Sequence, residues 1–330
     1  MDVNLPPNSG LLAVDGSLVS SAAEGSETFD PALGAAVSAL VDDRVRLNVP
    51  ASSMTTFGIG GVLKAVVTVE SVEELRAVLR LLHGEGQRVY VIGFGSNLLI
   101  ADLGLQGWVV RLGAQFRAVE QSGGAEFVLG GAVSLMSVSR KLSDEGFSGL
   151  EFAAGIPASL GGAVFMNAGA HGAEIGSRIA SVTGVLPDGS LHEWRGDQLP
   201  WMYRFSGLTE GLVVTSAKLK LAAGDRNAIA KACADNLTHR RKTQPLSLPS
   251  AGSVFKNPEP NRPAGLILEQ AGLKGIAVGG AMVSELHANW IVNPEKRALA
   301  SDVRALIELC TARVREHSGV VLHPEIKMWS

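Results

Sequence analysis

The residues best suited to act together are glycines. Four clusters fall between residues 55 and 172: Thr56-Phe57-Gly58-Ile59-Gly60-Gly61, Gly93-Phe94-Gly95-Ser96-Asn97, Gly130-Gly131, and a long run from Gly155 to Gly172. That run reads Gly155-Ile156-Pro157-Ala158-Ser159-Leu160-Gly161-Gly162-Ala163 and continues to Asn167-Ala168-Gly169-Ala170-His171-Gly172. Successive N–H groups in turns of alternating handedness form a concavity that holds anions, and Ser96 and Asn97 add side-chain donors. A pyrophosphate carries two negative charges and needs many donors. Two or three such loops supply them without Arg or Lys. Any one cluster alone is also a tight turn, but four interleaved with apolar strands point to backbone that approaches a ligand. The second cluster begins like a dinucleotide fingerprint. Leu98, however, stands where the third glycine belongs, and Leu98-Leu99-Ile100 reads as extended chain rather than as the helix such a fingerprint opens.

The elements that must hold these loops are legible from periodicity. Lys64–Val69 reads as a strand, and Ser71-Val72-Glu73-Glu74 is a capping box that opens a helix. Leu75, Val78, Leu79 and Leu82 follow at helical spacing. Arg88–Ile92 is a strand feeding into the second cluster, and Trp108–Leu112 is another. The middle adds a strand at Phe127–Leu129, a helix over Ser134–Glu145, and a hairpin of Ile179–Val185 with Ser190–Trp194 around Pro187-Asp188-Gly189. Leu212–Leu221 is a strong strand. Gly224-Asp225 caps a helix from Arg226 to Lys242, whose basic end suits a helix C-terminus. Beyond a Pro-rich joint, Pro263–Ala271 and Ser301–Glu316 read as helices. Gly275–Val278, Asn289–Val292 and Val320–Met328 read as strands.

Composition bounds the rest. The chain has 330 residues and 39 glycines, about 12% against a usual ~7%. No period of three suggests collagen, and 46% hydrophobic residues exclude a chain disordered throughout. A net charge of −3 gives no reason to expect nucleic-acid binding. Cys233 and Cys310 make neither a disulfide framework nor a metal site, and they fit a reducing compartment. Residues 1–43 contain no Lys or Arg and seven acidic residues, without the basic start and long apolar core of a secretory signal. Residues 1–45 are therefore expected to be a largely disordered extension, with a short helix near Ala32–Val41. No apolar run is long enough to insert in a membrane, so a soluble, cytoplasmic protein is expected.

Seven motifs in order carry a family resemblance: TTFGIGG (55–61), GFGSNLL (93–99), GIPASLGGAVFMNAGAHG (155–172), YRFS (203–206), SAGSVFKNP (250–258), AGLILEQAGLKG (264–275) and LHPEIK (322–327). Over about residues 46–330 the chain resembles the UDP-N-acetylenolpyruvoylglucosamine reductases. The resemblance implies an α+β chain with an FAD-binding fold of the para-cresol-methylhydroxylase/vanillyl-alcohol-oxidase type. It would span residues 46–223 in two subdomains, 46–112 and 113–223. An α/β substrate-binding domain would follow over 224–330. It also implies non-covalent FAD along Thr56, Gly58, Gly60, Gly93, Gly95, Ser96, Asn97, Leu98, Gly155, Ile156, Pro157, Gly161, Gly162, Asn167 and Gly169.

The implied reaction reduces an enolpyruvyl ether to a lactyl ether in peptidoglycan precursor synthesis. NADPH reduces FAD, and hydride from N5 of the flavin goes to C3 of the enolpyruvyl group. Arg204 would stabilise the charge that grows at C2 and in the carboxylate. Glu325, protonated, would hydrogen-bond the carboxylate, and Ser253 would give the proton to C2. Tyr203, Asn257 and His287 fall at substrate positions, and either Arg241 or Lys242 would meet the nucleotide diphosphate. Each residue has a plainer reading: Arg204 as a structural arginine, Ser253 in a turn, Glu325 facing solvent and His287 at a strand edge. Some relatives carry an insertion with a substrate-clamping Tyr after the YRxS motif. Here no Tyr follows Tyr203, so the chain resembles the shorter type. His171 stands where Tyr is frequent, and Phe94 where Gly is. The expected partners are small molecules only, with a monomeric enzyme. Two other readings remain: a flavin oxidase of the same fold acting on a hydroxy acid or alcohol, and a non-catalytic nucleotide-sugar-binding protein.

Overall fold

The computed structural model describes residues 30–259 and 261–330. Most of the expected extension, residues 1–29, lies outside the described residues. Its last part is not an extension. Asp30 accepts from the Ala32 N–H at 2.8 Å and caps α1 (Pro31–Leu40). Leu33, Val37 and Val41, one turn apart, are buried against Leu75, Val78 and Leu79. The small, acidic composition of this stretch hid a narrow apolar stripe, and burial of that stripe orders it.

The first sheet runs, in spatial order, Val45–Pro50, Val62–Val69, Leu105–Leu112 and Val89–Val91. Its first pair is antiparallel and the others are parallel. Val67 and Val110 join one core, while Val66 and Val109 join another. Burial on both faces explains why these strands read as apolar runs rather than alternating patterns. The Ser71 hydroxyl accepts from Glu74 N–H at 3.0 Å and starts α2 (Val72–Gly84), as the capping box requires. The Glu74 carboxylate returns to the N–H of Glu70 rather than of Ser71, and it also binds Arg44 at 2.6 Å.

The second sheet is antiparallel, in the order Leu191–Arg195, Ile179–Val185, Val213–Lys220, Glu126–Gly130, Val119–Gly123. Against it lie α3 (Leu135–Asp144) and α4 (Leu160–Phe165), with Leu135, Val138, Leu142, Leu160 and Val164 buried beside Leu129, Val182 and Leu219. α5 (Arg226–Thr243) packs along α3 and delivers its C-terminal end to the edge of this layer.

The third sheet, Ser250–Ser253, Trp290–Val292, Ala281–Val283 and Ala277–Val278, is antiparallel throughout. α6 (Ala264–Gln270) and α7 (Ala300–Ser318) complete its core. Phe57, Ile59 and Leu99 are buried in that same core, so the first lobe is keyed into the third. Asp102 adds a polar tie. Its carboxylate accepts from Ala300 N–H at 2.6 Å and Ser301 N–H at 2.9 Å, capping α7 from 198 residues away.

The expected strand over Val320–Met328 is reduced to Lys327–Trp329. Pro324 has no N–H to donate, and only an isolated bridge to Phe255 forms there. The short strand pairs in parallel with Leu98–Ile100, the segment read as extended chain after the second glycine cluster.

Candidate active site

A cleft of about 1850 Å³ runs between the three lobes. The glycine loops form one wall. Gly95 has φ 63°, and a Cβ there would come within 2.2 Å of the Met54 carbonyl oxygen, so only glycine fits. The loop is tied to the first cluster by Thr56 N–H donating to the Gly95 carbonyl at 3.2 Å. The Thr56 hydroxyl in turn donates to the Ser250 carbonyl at 2.7 Å, which fastens both loops to the third lobe. Opposite them, Ser159 caps α4 through Gly162 N–H, and Gly161 N–H donates to the Gly131 carbonyl at 2.9 Å. The third and fourth glycine clusters are thus one braced unit.

Of the residues expected to hold a cofactor, Thr56, Gly93, Gly95, Ser96, Asn97, Leu98, Ile156, Pro157, Gly161, Gly162 and Gly169 line the cleft. Gly58, Gly60, Gly155 and Asn167 do not line it. Gly60 has φ 121° and packs against Ala51 and Ile100. Gly155 lies against the side chain of Arg240, where a Cβ would meet Cδ at 2.6 Å. Asn167 is buried, donating to Glu174 at 2.8 Å and to the Met202 carbonyl at 2.9 Å while accepting from Gly176 N–H. It holds the turn that carries Arg204. The cleft suits an extended dinucleotide. Its wall is bare backbone, and Arg111, which also lines it, has a buried Nε with no partner among the described residues. A fixed cation beside loops of this kind suits an anionic group.

Arg204, Ser253 and Glu325 all line this cleft, although 121 residues separate the first from the last. Met202 and Phe205 exchange backbone hydrogen bonds of 2.9 Å, so Tyr203 and Arg204 form the corner of a tight turn, with Arg204 at φ 56°. Arg204 Nε donates to Glu325 Oε1 at 2.5 Å, Nη2 donates to the Gly169 carbonyl at 3.2 Å, and the guanidinium lies 4.7 Å from the centre of the Tyr203 ring. Burial pushes the Glu325 carboxyl above its ordinary pKa, and the charges of Arg204 and Lys256 offset only part of that. Glu325 N–H donates to the Val254 carbonyl at 2.7 Å, which sets the Glu325 segment beside the one bearing Ser253. Gly252, at φ 77°, lets the chain turn just before Ser253.

The expected substrate residues divide. Asn257 and His287 line the cleft. The Asn257 side chain accepts from Ala264 N–H at 3.0 Å at the start of α6, so its carbonyl oxygen is already engaged. His287 Nδ1 accepts from Asn289 N–H at 3.2 Å, which leaves Nε2 protonated in the neutral ring, and burial lowers its pKa. Tyr203 does not line the cleft. Its hydroxyl accepts from Asn257 N–H at 3.3 Å and its ring backs Arg204. Arg241 and Lys242 are exposed outside the cleft, and the member of this basic triplet that lines it is Arg240. Arg240 is buried, its Nε donates to Gln244 Oε1 at 2.8 Å, and burial lowers its pKa to about 10. A helix turns 100° per residue, so a one-residue offset in a basic triplet reverses which cation faces inward. Arg111, Arg117, His239 and Lys296 also line the cleft. No local pattern marked them.

Among the described residues no helix is long and apolar enough to cross a membrane, and no cluster of metal-ligating side chains occurs. Residues 63–195 match the FAD binding domain family, and residues 244–329 match the UDP-N-acetylenolpyruvoylglucosamine reductase C-terminal domain. A UDP-N-acetylenolpyruvoylglucosamine reductase from Heliobacterium modesticaldum is 41% identical over 280 residues, covering 84% of this chain and 88% of that one. The protein of that name from Bacillus subtilis is 39% identical over 287 residues, covering 86% and 94%. The crystal structure of the reductase from Thermus caldophilus superposes with a TM-score of 0.75 at 36% identity, covering 87% of this chain and all of that one.

Proposed function

The chain belongs to the UDP-N-acetylenolpyruvoylglucosamine reductase family, and from that premise we propose how its own residues carry the family's reaction. It is an FAD-dependent oxidoreductase of peptidoglycan precursor synthesis, with a cofactor fold of the para-cresol-methylhydroxylase/vanillyl-alcohol-oxidase type. In this reading residues 46–223 hold FAD and residues 224–330 hold the substrate, UDP-N-acetylglucosamine enolpyruvate. FAD, once reduced by NADPH, supplies a hydride to C3 of the enolpyruvyl group.

The protein's part is to bind, orient and protonate. Phe94–Asn97 offers N–H groups to the cofactor, and the Ile156–Gly162 loop, whose own N–H groups are largely engaged within the protein, offers it a bare backbone surface. Arg204 meets the enolpyruvyl carboxylate, where charge accumulates as hydride arrives. Its guanidinium is held by Glu325, Gly169 and the Tyr203 ring, so it need not reorganise during the reaction. Burial raises the Glu325 pKa, which favours the protonated form that can donate to that carboxylate. Ser253 gives its hydroxyl proton to C2. Arg240 is assigned to the nucleotide diphosphate, and His287, which also lines the cleft, is assigned to the substrate with Nε2–H as its donor.

The observation that carries the reading is the Arg204–Glu325 pair at 2.5 Å, in a cleft shared with Ser253 and the glycine loops. The test is direct. The purified protein is expected to show a flavin absorption spectrum and to oxidise NADPH only when the enolpyruvyl nucleotide sugar is present. A protein without flavin, or one whose NADPH oxidation ignores that substrate and consumes oxygen instead, overturns it.

A further inference from the structure

Resting on the reading of the cleft as a nucleotide-sugar site, we infer that His171 and His239 form, with Arg240, a proton-linked subsite for a nucleoside diphosphate. All three line the cleft, and the first two are exposed. His171 occupies the two-residue turn between Gly169–Ala170 and Ala173–Glu174, with φ 53° followed by φ 78° at Gly172. Two successive left-handed residues make a tight hairpin turn, so the backbone holds this imidazole at one place on the rim. The C-terminal half of α5 brings His239 from the other side. The two rings meet edge to face with centroids 5.6 Å apart. Arg240 lies beside them, fixed by Gln244 and by the close approach of Gly155.

The charges around the pair leave it without an acid of its own. On the hairpin, Glu174 is engaged by Asn167 and faces Arg204 at 3.9 Å. On the short helix Glu151–Ala153, Glu151 is engaged by Ser148 and Gly149 N–H. Arg178, in Ile175–Arg178, donates to the Gly149 carbonyl. On α5, Asp235 lies one turn before His239 and is paired with Lys231 at 2.6 Å, while Arg241 and Lys242 point outward. The groups that act on His171 are burial, His239 and Arg240, and all three favour its neutral form. The rim therefore carries the fixed Arg240 charge beside one imidazole, that of His171, whose protonation its surroundings disfavour. A diphosphate diester keeps two negative charges at any working pH. Bound beside this pair, it stabilises a proton on an imidazole, and proton uptake in turn tightens binding. A nucleotide sugar and a nicotinamide nucleotide share that diphosphate.

Calorimetric titration of the flavin-loaded protein tests this, with UDP-N-acetylglucosamine, ADP-ribose and uridine as probes. UDP-N-acetylglucosamine is expected to bind about five- to tenfold more tightly at about pH 5.5 than at about pH 8, with no such change for uridine. H171N retains a residue that tolerates the turn. It and H239Q are expected to flatten the pH response. ADP-ribose with the same response assigns both nucleotides to the subsite, and a flat response assigns it to the sugar nucleotide alone. A parent protein without pH response, an equal response to uridine, or variants that keep the full response overturn the inference. Absence of any UDP-N-acetylglucosamine binding to flavin-loaded protein overturns the functional reading, and the subsite with it.

Discussion

Ser253, Arg204 and Glu325 divide one task, and each division is separable by experiment. Ser253→Ala removes only the proton for C2. Flavin reduction by NADPH is expected to stay within about twofold, while oxidation of the reduced protein by substrate slows by about 10² to 10⁴, as rapid-mixing absorbance would read. Equal loss in both halves counts against the role. Glu325 has its pKa raised by burial, so it keeps its proton to a higher pH than an exposed carboxyl. Activity that needs the protonated form is fully present below that value and is lost as pH rises through it. The rate of the substrate half-reaction is therefore expected to fall on the alkaline side. Glu325→Gln, neutral at every pH, is expected to remove that limb of the profile. Persistence of the limb in the variant would assign it to another group.

Short connections between distant elements do the positioning. The clearest is Asp102, which sits in the loop after Leu98–Ile100 and caps α7. Burial alone would raise its pKa, but the two N–H donors from Ala300 and Ser301 outweigh that and hold it below the usual value. A carboxylate depressed in this way stabilises the fold above its unfolded pKa of about 3.9 and ceases to do so as pH falls through the folded value. Asp102→Ala is expected to cost about 1 kcal/mol at neutral pH, because the carboxylate is exposed and capping there is partly screened. Urea unfolding at about pH 7 and about pH 3 checks this, since the gap between variant and parent is expected to narrow at the lower pH. An equal gap at both values would show that packing, not charge, is what the substitution removed.

The molecule as a whole is closed by its last residues. Lys327 N–H donates to the Asn97 carbonyl and Ala101 N–H to the Trp329 carbonyl, both at 2.9 Å, and the Trp329 ring packs 5.2 Å from that of Tyr90. These contacts hold the second glycine loop against the C-terminal lobe, with Glu325 two residues upstream. Truncation after Ile326 is expected to weaken FAD retention by about tenfold, about 1.4 kcal/mol, and to lower the melting temperature by about 2–4 °C. Flavin fluorescence on dilution and a thermal melt read the two effects. Unchanged FAD retention would show that the nest stands without the terminal strand.

How much of this could be read from sequence depended on whether the signal was local. The helices over 72–84, 135–144, 226–243 and 300–318 followed from caps and apolar spacing, and Leu98–Ile100 was legible as extended chain. The glycine loops announced close backbone approach, because no other residue tolerates it. Family motifs named Arg204, Ser253 and Glu325. The inward cation needed helix phase, which a run of three basic residues leaves open, and it proved to be Arg240. The inclusion of α1 needed a partner surface on α2 that lies far along the chain. The shortness of the last strand was set by Pro324, and its pairing partner lies 229 residues earlier at Leu98. Sequence by itself determined the local conformations, the family and the chemical types in the cleft, since those depend on neighbours along the chain. Only the tertiary structure decided which charges face one another, because burial and partnership arise between segments that meet only once the core has formed.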